Sequence, residues 1–188
     1  FMASLICGSL AFDSIMSFEG RFAEQILPDQ LHILNVSFLV PALRRDFGGC
    51  AGNIAYSLKA LGGTPLPMAT LGTDAADYLQ RLETLGISTE FVRQVSDTYT
   101  AQAMIMTDRD NNQITAFHPG AMMQAHITQI EKRSDIKLAI ISPDVAMPCF
   151  NMPSSSKLQI FHLYSIQAKA CPCLMALICH VSLTKPLG

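Results

Sequence analysis

The chain has 188 residues, 49% hydrophobic and 15% charged, with a formal net charge of −2; that length suits one domain or part of a larger one, and this composition supports a substantial core and excludes a disordered chain. The charge leaves no basic footprint for nucleic acid, and nowhere does an apolar run reach the roughly 18 residues of a membrane-spanning helix. The opening Phe1-Met2-Ala3-Ser4 has no basic segment before its short apolar run, which does not read as a signal peptide, so a cytoplasmic protein is expected.

In chain order, Ala3–Cys7 reads as a short buried strand that ends at Gly8-Ser9, with Asp13 just past the turn. In an open α/β sheet, ligands gather beyond the carboxyl ends of strands, so Asp13 is placed to bond a substrate hydroxyl; its plainer role is a turn or cap carboxylate. Leu31–Val40, between Pro28 and Pro41, is strand-like, and Met16–Phe47 is expected to supply part of a small β layer.

Next comes Gly48-Gly49-Cys50-Ala51-Gly52-Asn53, a glycine-rich loop feeding a helix whose Ile54, Leu58 and Leu61 share one face, with Gly62 at its stop. Glycines ahead of a helix let the backbone approach a ligand and leave the first helical N–H groups free to bond it, while Asn53 adds a side-chain donor and acceptor. The plainer alternative is a tight turn into a core helix. Leu66–Leu71 reads as a strand, Thr73 or Asp74 as the cap of a helix over Asp74–Leu85, Gly86 as its end, and Glu90–Val95 as a further strand. Thr100–Thr107 and Gln113–His118 flank Asp108-Arg109-Asp110-Asn111-Asn112, a hairpin signal, and His118-Pro119-Gly120-Ala121 turns the chain away. Gln124–Lys132 is expected to be helical and Lys137–Ser142 a buried strand. Alternating strands and helices predict a mostly parallel sheet covered on both faces, with the hairpin as a separate flap.

The run Gly48-Gly49-Cys50-Ala51-Gly52-Asn53-Ile54-Ala55, followed by Gly62 and Gly72 and preceded by Gly8 and Asp13, resembles the N-terminal signature of the PfkB, or ribokinase-like, carbohydrate kinases. The likeness covers about residues 2–144. Ile33-Leu34-Asn35-Val36-Ser37 and the hairpin from Thr100-Ala101-Gln102 to His118-Pro119-Gly120-Ala121 look most like adenosine or sugar kinases within it. The resemblance implies a three-layer α/β/α domain with a mostly parallel sheet and a small β lid, here from 14–47 and 98–120. It implies ATP and Mg²⁺ as cofactors and a sugar or nucleoside acceptor gripped by Asp13, Gly48, Gly49 and Asn53. Gln102 and Phe117 are added from the hairpin, where lid–core packing is the alternative role. Lids in this family sometimes pair between subunits, which allows a homodimer.

Phosphoryl transfer needs positioning, charge neutralisation and a base on the attacking hydroxyl. In the family the base is an aspartate in a downstream Asp-Thr-x-Gly-Ala-Gly-Asp segment, beside a helix N-terminus that holds the developing charge. The sequence contains no such segment and nothing resembling the region that holds adenine. Substrate gripping without them is binding rather than transfer, so two classes stand: a sugar or nucleoside kinase by ancestry, and an inactive truncated fragment that at most binds a ligand or partner.

Composition also changes at residue 144. All 15 acidic residues precede 145, whereas 145–188 holds Cys149, Cys171, Cys173 and Cys179. If one base were lost just after the codon for Asp144, the original reading of 145–188 could restore normal acidic content, a helix and then an apolar strand. The expectation is therefore a kinase part over 1–144 and a frameshifted tail over 145–188. On that reading the Cys171-Pro172-Cys173 and Cys179-His180 spacing, which matches no standard zinc framework, is accidental. Leu174–Leu183 is then an aggregation liability. Cys7 and Cys50 are expected to pack as small apolar groups.

Overall fold

The computed structural model describes residues 3–128, 135–142, 144 and 159–162. A parallel sheet of five strands forms the body, in the order β5-β4-β1-β8-β9, and a second sheet of four strands, β3-β2-β6-β7, stands off it as the lid. The body strands are β1 (Ala3–Cys7), β4 (Thr64–Leu71), β5 (Val92–Gln94), β8 (Ile136–Ile141) and β9 (Gln159–His162). The lid strands are β2 (Ala11–Ser17), β3 (Ala42–Gly48), β6 (Ala101–Thr107) and β7 (Gln113–His118). Among the described residues three α-helices accompany them: the single turn α1 (Phe22–Gln25), α2 (Cys50–Ala60) and α3 (Ala76–Thr84).

β1 is buried along its whole length, because it lies between β4 and β8 and is covered on both faces. On one face Ile6, Ala69 and Leu71 pack under α2 and α3 with Leu10, Ala55, Tyr78 and Leu82. On the other, Leu5, Cys7, Leu66, Met68, Ile136 and Ala139 form a second cluster. Cys7 is thus a core residue as expected, but Cys50 is exposed.

β4 carries two prolines inside an interior strand, normally a poor place for them. The Met68 carbonyl points to β1, where it accepts the Gly8 N–H at 3.4 Å, so Pro65 and Pro67 turn their missing donors the other way. Among the described residues that side has no strand partner to disappoint, since β5 pairs only with Ala69, Thr70 and Leu71.

Several expectations change. Asp13 lies within β2, not in a turn. Leu31–Val40 is no strand: Pro28–Ile33 is a 3₁₀ helix, and the strand comes later, at β3. The apolar residues that suggested a strand, Leu31, Ile33, Leu34 and Leu39, are exposed, whereas β3 is charge-rich because it edges the lid. Neither Thr73 nor Asp74 caps α3, whose cap position is Ala75. Gly120–Ile127 is 3₁₀ rather than α-helical, with a break at Gln124, and residues 129–132 of the expected helix lie outside the described residues. The flap is right: β6 and β7 form an antiparallel hairpin, joined to β2 in parallel. Asp108 closes its loop, accepting N–H bonds from Asp110 and Asn112 and tying it to Phe22. In the tail, β9 pairs in parallel with β8, and the cysteines and the Leu174–Leu183 run lie outside the described residues. Among the described residues no helix is long and apolar enough to cross a membrane.

Two positive-φ glycines separate turn chemistry from packing. Gly62 (φ +82°) ends α2 and has open space where a Cβ would go, so Gly62→Ala is expected to cost about 1–2 kcal/mol for the left-handed backbone alone. Gly49 (φ +90°) lies against the chain entering the lid, and its Cβ would fall 2.8 Å from the Ala11 nitrogen and from Leu10 Cα. Gly49→Ala should therefore lower the urea midpoint distinctly more than Gly62→Ala. Equal midpoints would show that the lid root is not tightly packed.

Candidate functional site

The chain runs outward from β1 to β4 and β5, then crosses to β8 and β9 on the other side, so the order reverses between β1 and β8. Crevices at such a reversal are where α/β sheets bind ligands. The ends of these strands and the start of α2 meet there. Ser142 donates to the Cys7 carbonyl through its backbone N–H (2.9 Å) and its hydroxyl (2.7 Å). Ser9 takes two of the N–H groups at the start of α2, from Cys50 on its hydroxyl (3.1 Å) and from Ala51 on its carbonyl (3.0 Å). Those two donors, expected to be free for a ligand, are spent on holding the loop.

The lid supplies the polar face. Asp13 on β2 stands directly opposite Asp46 on β3 and Ala103 on β6, and Ala103 stands opposite Phe117 on β7. Residues directly opposite share a face, so Asp46, Asp13, Ala103 and Phe117 form one row across four strands. With strands about 4.8 Å apart, the backbone positions of Asp13 and Phe117 stand about 10 Å apart, and only the Ala103 methyl group lies between them in the row. Phe117 is 51% exposed. Two residues along each strand toward the body, on the same face, Gly48, Ala11 and Ala101 are all small.

Gly48 is what lets Asp13 fit, since a Cβ there would run into the Asp13 carboxylate. Behind it, the buried Tyr78 hydroxyl of α3 donates to the Gly48 carbonyl at 2.6 Å. Gly52 makes room for that hydroxyl, which a Cβ there would strike. Burial holds the Asp13 carboxyl above its ordinary pKa, and the facing Asp46 adds to the shift. Asp46 itself is paired with Arg44 at 2.8 Å.

Of the residues singled out by sequence, Asp13, Gly48 and Phe117 thus share a face, and Gly49 is the strained joint behind them. Asn53 is exposed on the first turn of α2 and borders two cavities, of about 260 and 350 Å³, that Asp13 does not line. Gln102 pairs with His118 one step out of phase, so it lies on the opposite face from Asp13, where its amide donates to the Ser14 hydroxyl at 2.6 Å. Ala103, Asp46 and Tyr78 were not foreseen. Strand register would have found the first two, and no sequence signal marks Tyr78.

A sheet body with a β lid, a glycine joint and a carboxylate under the lid is the arrangement of the ribokinase-like kinases. The pfkB family of carbohydrate kinases matches residues 14–144, and the chain belongs to that family. It is 61% identical to the Burkholderia thailandensis nucleoside kinase solved with inosine, over 75% of this chain and 44% of that one, with a TM-score of 0.63. A complex of that relative with ADP-inosine is also known. The chain is 33% identical to the Methanocaldococcus jannaschii nucleoside kinase over 64% of this chain and 37% of that protein. That kinase's crystal structure superposes with a TM-score of 0.64. A Cryptococcus neoformans ribokinase with ADP, at 19% identity and a TM-score of 0.58, shares the fold. The chain spans well under half the length of these relatives.

Two substitutions probe the site. Tyr78→Phe removes one hydroxyl and strands the buried Gly48 carbonyl, so it is expected to cost about 1–3 kcal/mol in denaturant unfolding while leaving the fold intact. For Asp13, the folded-state pKa lies above the unfolded value, so the native state holds the proton more tightly and the ionised carboxylate opposes folding. The stability it withholds at neutral pH returns as pH falls through the carboxylate range. Asp13→Asn should therefore raise Tm at neutral pH, by an amount that shrinks on acidification. A variant less stable than the parent at neutral pH would contradict this.

Proposed function

We propose that this chain is the acceptor-binding part of a nucleoside kinase, with Asp13 accepting hydrogen bonds from ribose hydroxyls and the base lying over Ala103 against Phe117. The row Asp13–Ala103–Phe117 carries the reading. A carboxylate alone suits any sugar. An apolar slot with an aromatic wall, opening from that carboxylate across two strand spacings, suits a sugar that bears a planar base. The inosine complex of the Burkholderia relative supports a nucleoside over a bare sugar. Gly48 and Gly49 bring backbone to the hydroxyls.

ATP and Mg²⁺ are implied by the family, and when bound they supply the phosphoryl group and neutralise its charge. Among the described residues no group of three or more His, Cys, Asp or Glu is placed to hold a metal ion, and none of them is assigned a role in holding ATP or Mg²⁺. What this chain's own residues do is bind and orient the acceptor and shield it under the lid.

Calorimetric titration of the chain with inosine, adenosine and ribose tests the proposal. Nucleosides should bind more tightly than ribose, and Asp13→Asn should weaken inosine binding by roughly tenfold or more, the loss of a charged hydrogen bond. Equal affinity for ribose and inosine would remove the base slot, and an unaffected Asp13→Asn variant would remove the acceptor role.

The composition break at 144 supports a companion reading, that 145–188 is an out-of-frame tail and that this chain alone transfers no phosphoryl group. The nucleotide sequence across codon 145 should show a missing base. With ATP, Mg²⁺ and inosine, phosphotransfer should stay at the blank; turnover above it would overturn the fragment reading.

A further inference from the structure

Arg45 lies on the side of the lid turned away from Asp13. It stands opposite Ser14, one step out of phase with the Asp13 row, and its guanidinium sits 3.6 Å above the Phe12 ring centroid. From there it donates to Asp74 Oδ2 at 2.9 Å and reaches to within 4.0 Å of Asp77. Asp74 belongs to the body, in the loop between β4 and α3. Its other oxygen, Oδ1, accepts the N–H of Thr100, the residue that leads into β6, at 2.8 Å. Thr100 returns a contact, its hydroxyl accepting the Gly72 N–H at 2.9 Å, and the Thr73 N–H donates to the Thr98 carbonyl at 2.9 Å.

One body carboxylate therefore holds the lid at two strands, β3 through Arg45 and the root of β6 through Thr100. Beside it, the Tyr78 hydroxyl holds the Gly48 carbonyl at the end of β3, and Phe12 and Phe47 pack against the Tyr78 ring; the ring contacts resist separation more than tilting. Any tilt of β3 carries Asp46 and Gly48, the two neighbours that fix Asp13.

We propose that the Arg45–Asp74 pair is a latch that sets the angle of the lid and of the acceptor face it carries, which makes both residues positioning residues for nucleoside binding at Asp13. The latch deepens the acceptor reading above and rests on it only for its consequence in binding. Its side chains are 39% and 22% exposed, so the pair is hydrated enough to open and re-form, unlike a fully buried pair. Burial pushes the Asp74 carboxyl up, but the bonds to Thr100 and the Arg45 charge outweigh it and hold the group below its ordinary pKa, keeping the latch charged.

The test uses the full chain with Arg45→Met, Asp74→Asn and the double variant. Met keeps an apolar stem over Phe12, and Asn keeps an oxygen for the Thr100 N–H. Without ligand, amides of β2, β3 and β6 should exchange roughly two- to fivefold faster in each single variant, with those of β1 and β4 unchanged. The double variant should be no faster than either single one, and inosine affinity should fall by a similar factor. Faster exchange throughout the body, additive effects, or unchanged exchange in the lid would each overturn the latch. If the unsubstituted chain does not bind inosine, the acceptor reading fails while the exchange result still decides the latch.

Discussion

The proposed acceptor face depends on two side chains that are not there. Gly48 leaves the volume into which Asp13 folds its carboxylate, and Gly52, on the first turn of α2, leaves the volume for the Tyr78 hydroxyl that grips Gly48 from behind. A methyl at either place breaks a chain of contacts that runs from α3 through the loop to β2. The glycines usually associated with flexibility therefore act here as fixed space. Gly49 is the exception, because its backbone adopts φ +90° and turns β3 into α2 against the Ser9–Ala11 segment.

The cost of this arrangement falls on Asp13. Two carboxylates face each other across β2 and β3, one partly buried, and among the described residues nothing neutralises Asp13 as Arg44 neutralises Asp46. A folded protein gains nothing from that juxtaposition. In the proposed complex a ligand carrying two hydroxyls would, since each hydroxyl would donate into a carboxylate that has no hydrogen-bond partner among the described residues. Strain of this kind at a site is expected where binding, not stability, is the selected property.

The body was largely legible in the sequence because parallel strands buried on both faces advertise themselves as apolar runs: Ala3–Cys7, Leu66–Leu71 and Lys137–Ser142 all lie on or within a residue or two of their strands. The helix stops at Gly62 and Gly86 followed from the backbone conformation each glycine adopts. The lid was legible as a hairpin and a β layer, but not strand by strand. β3, with Arg44, Arg45 and Asp46 in a row, has one side on solvent and so lacks an apolar period, while the apolar residues around Leu31–Leu39 are exposed. Gln102 shows the limit most sharply. It lies next to Ala103 in sequence, yet a single step of register places it across the sheet from Asp13, and register is set by pairing that no local pattern reveals.

Sheet order explains why grip and lid come together in this part of the chain. The lid strands β2 and β3 are inserted directly between β1 and α2, and β6 and β7 between β5 and β8, so every lid strand is rooted in the first three body strands or the loops beside them. The roots converge on one place: Thr70 on β4 holds the Ala121 carbonyl at 2.6 Å where the hairpin leaves, Thr100 holds Gly72 where it enters, and Ser9 holds α2 where the first pair returns. Because Pro65 and Pro67 occupy the stretch of β4 that β5 never reaches, the strand makes its outward pairings only at its carboxyl end, beside those roots. The outward pairing of β4 is thus set beside the lid roots, and the residues of the proposed acceptor face all lie before 121.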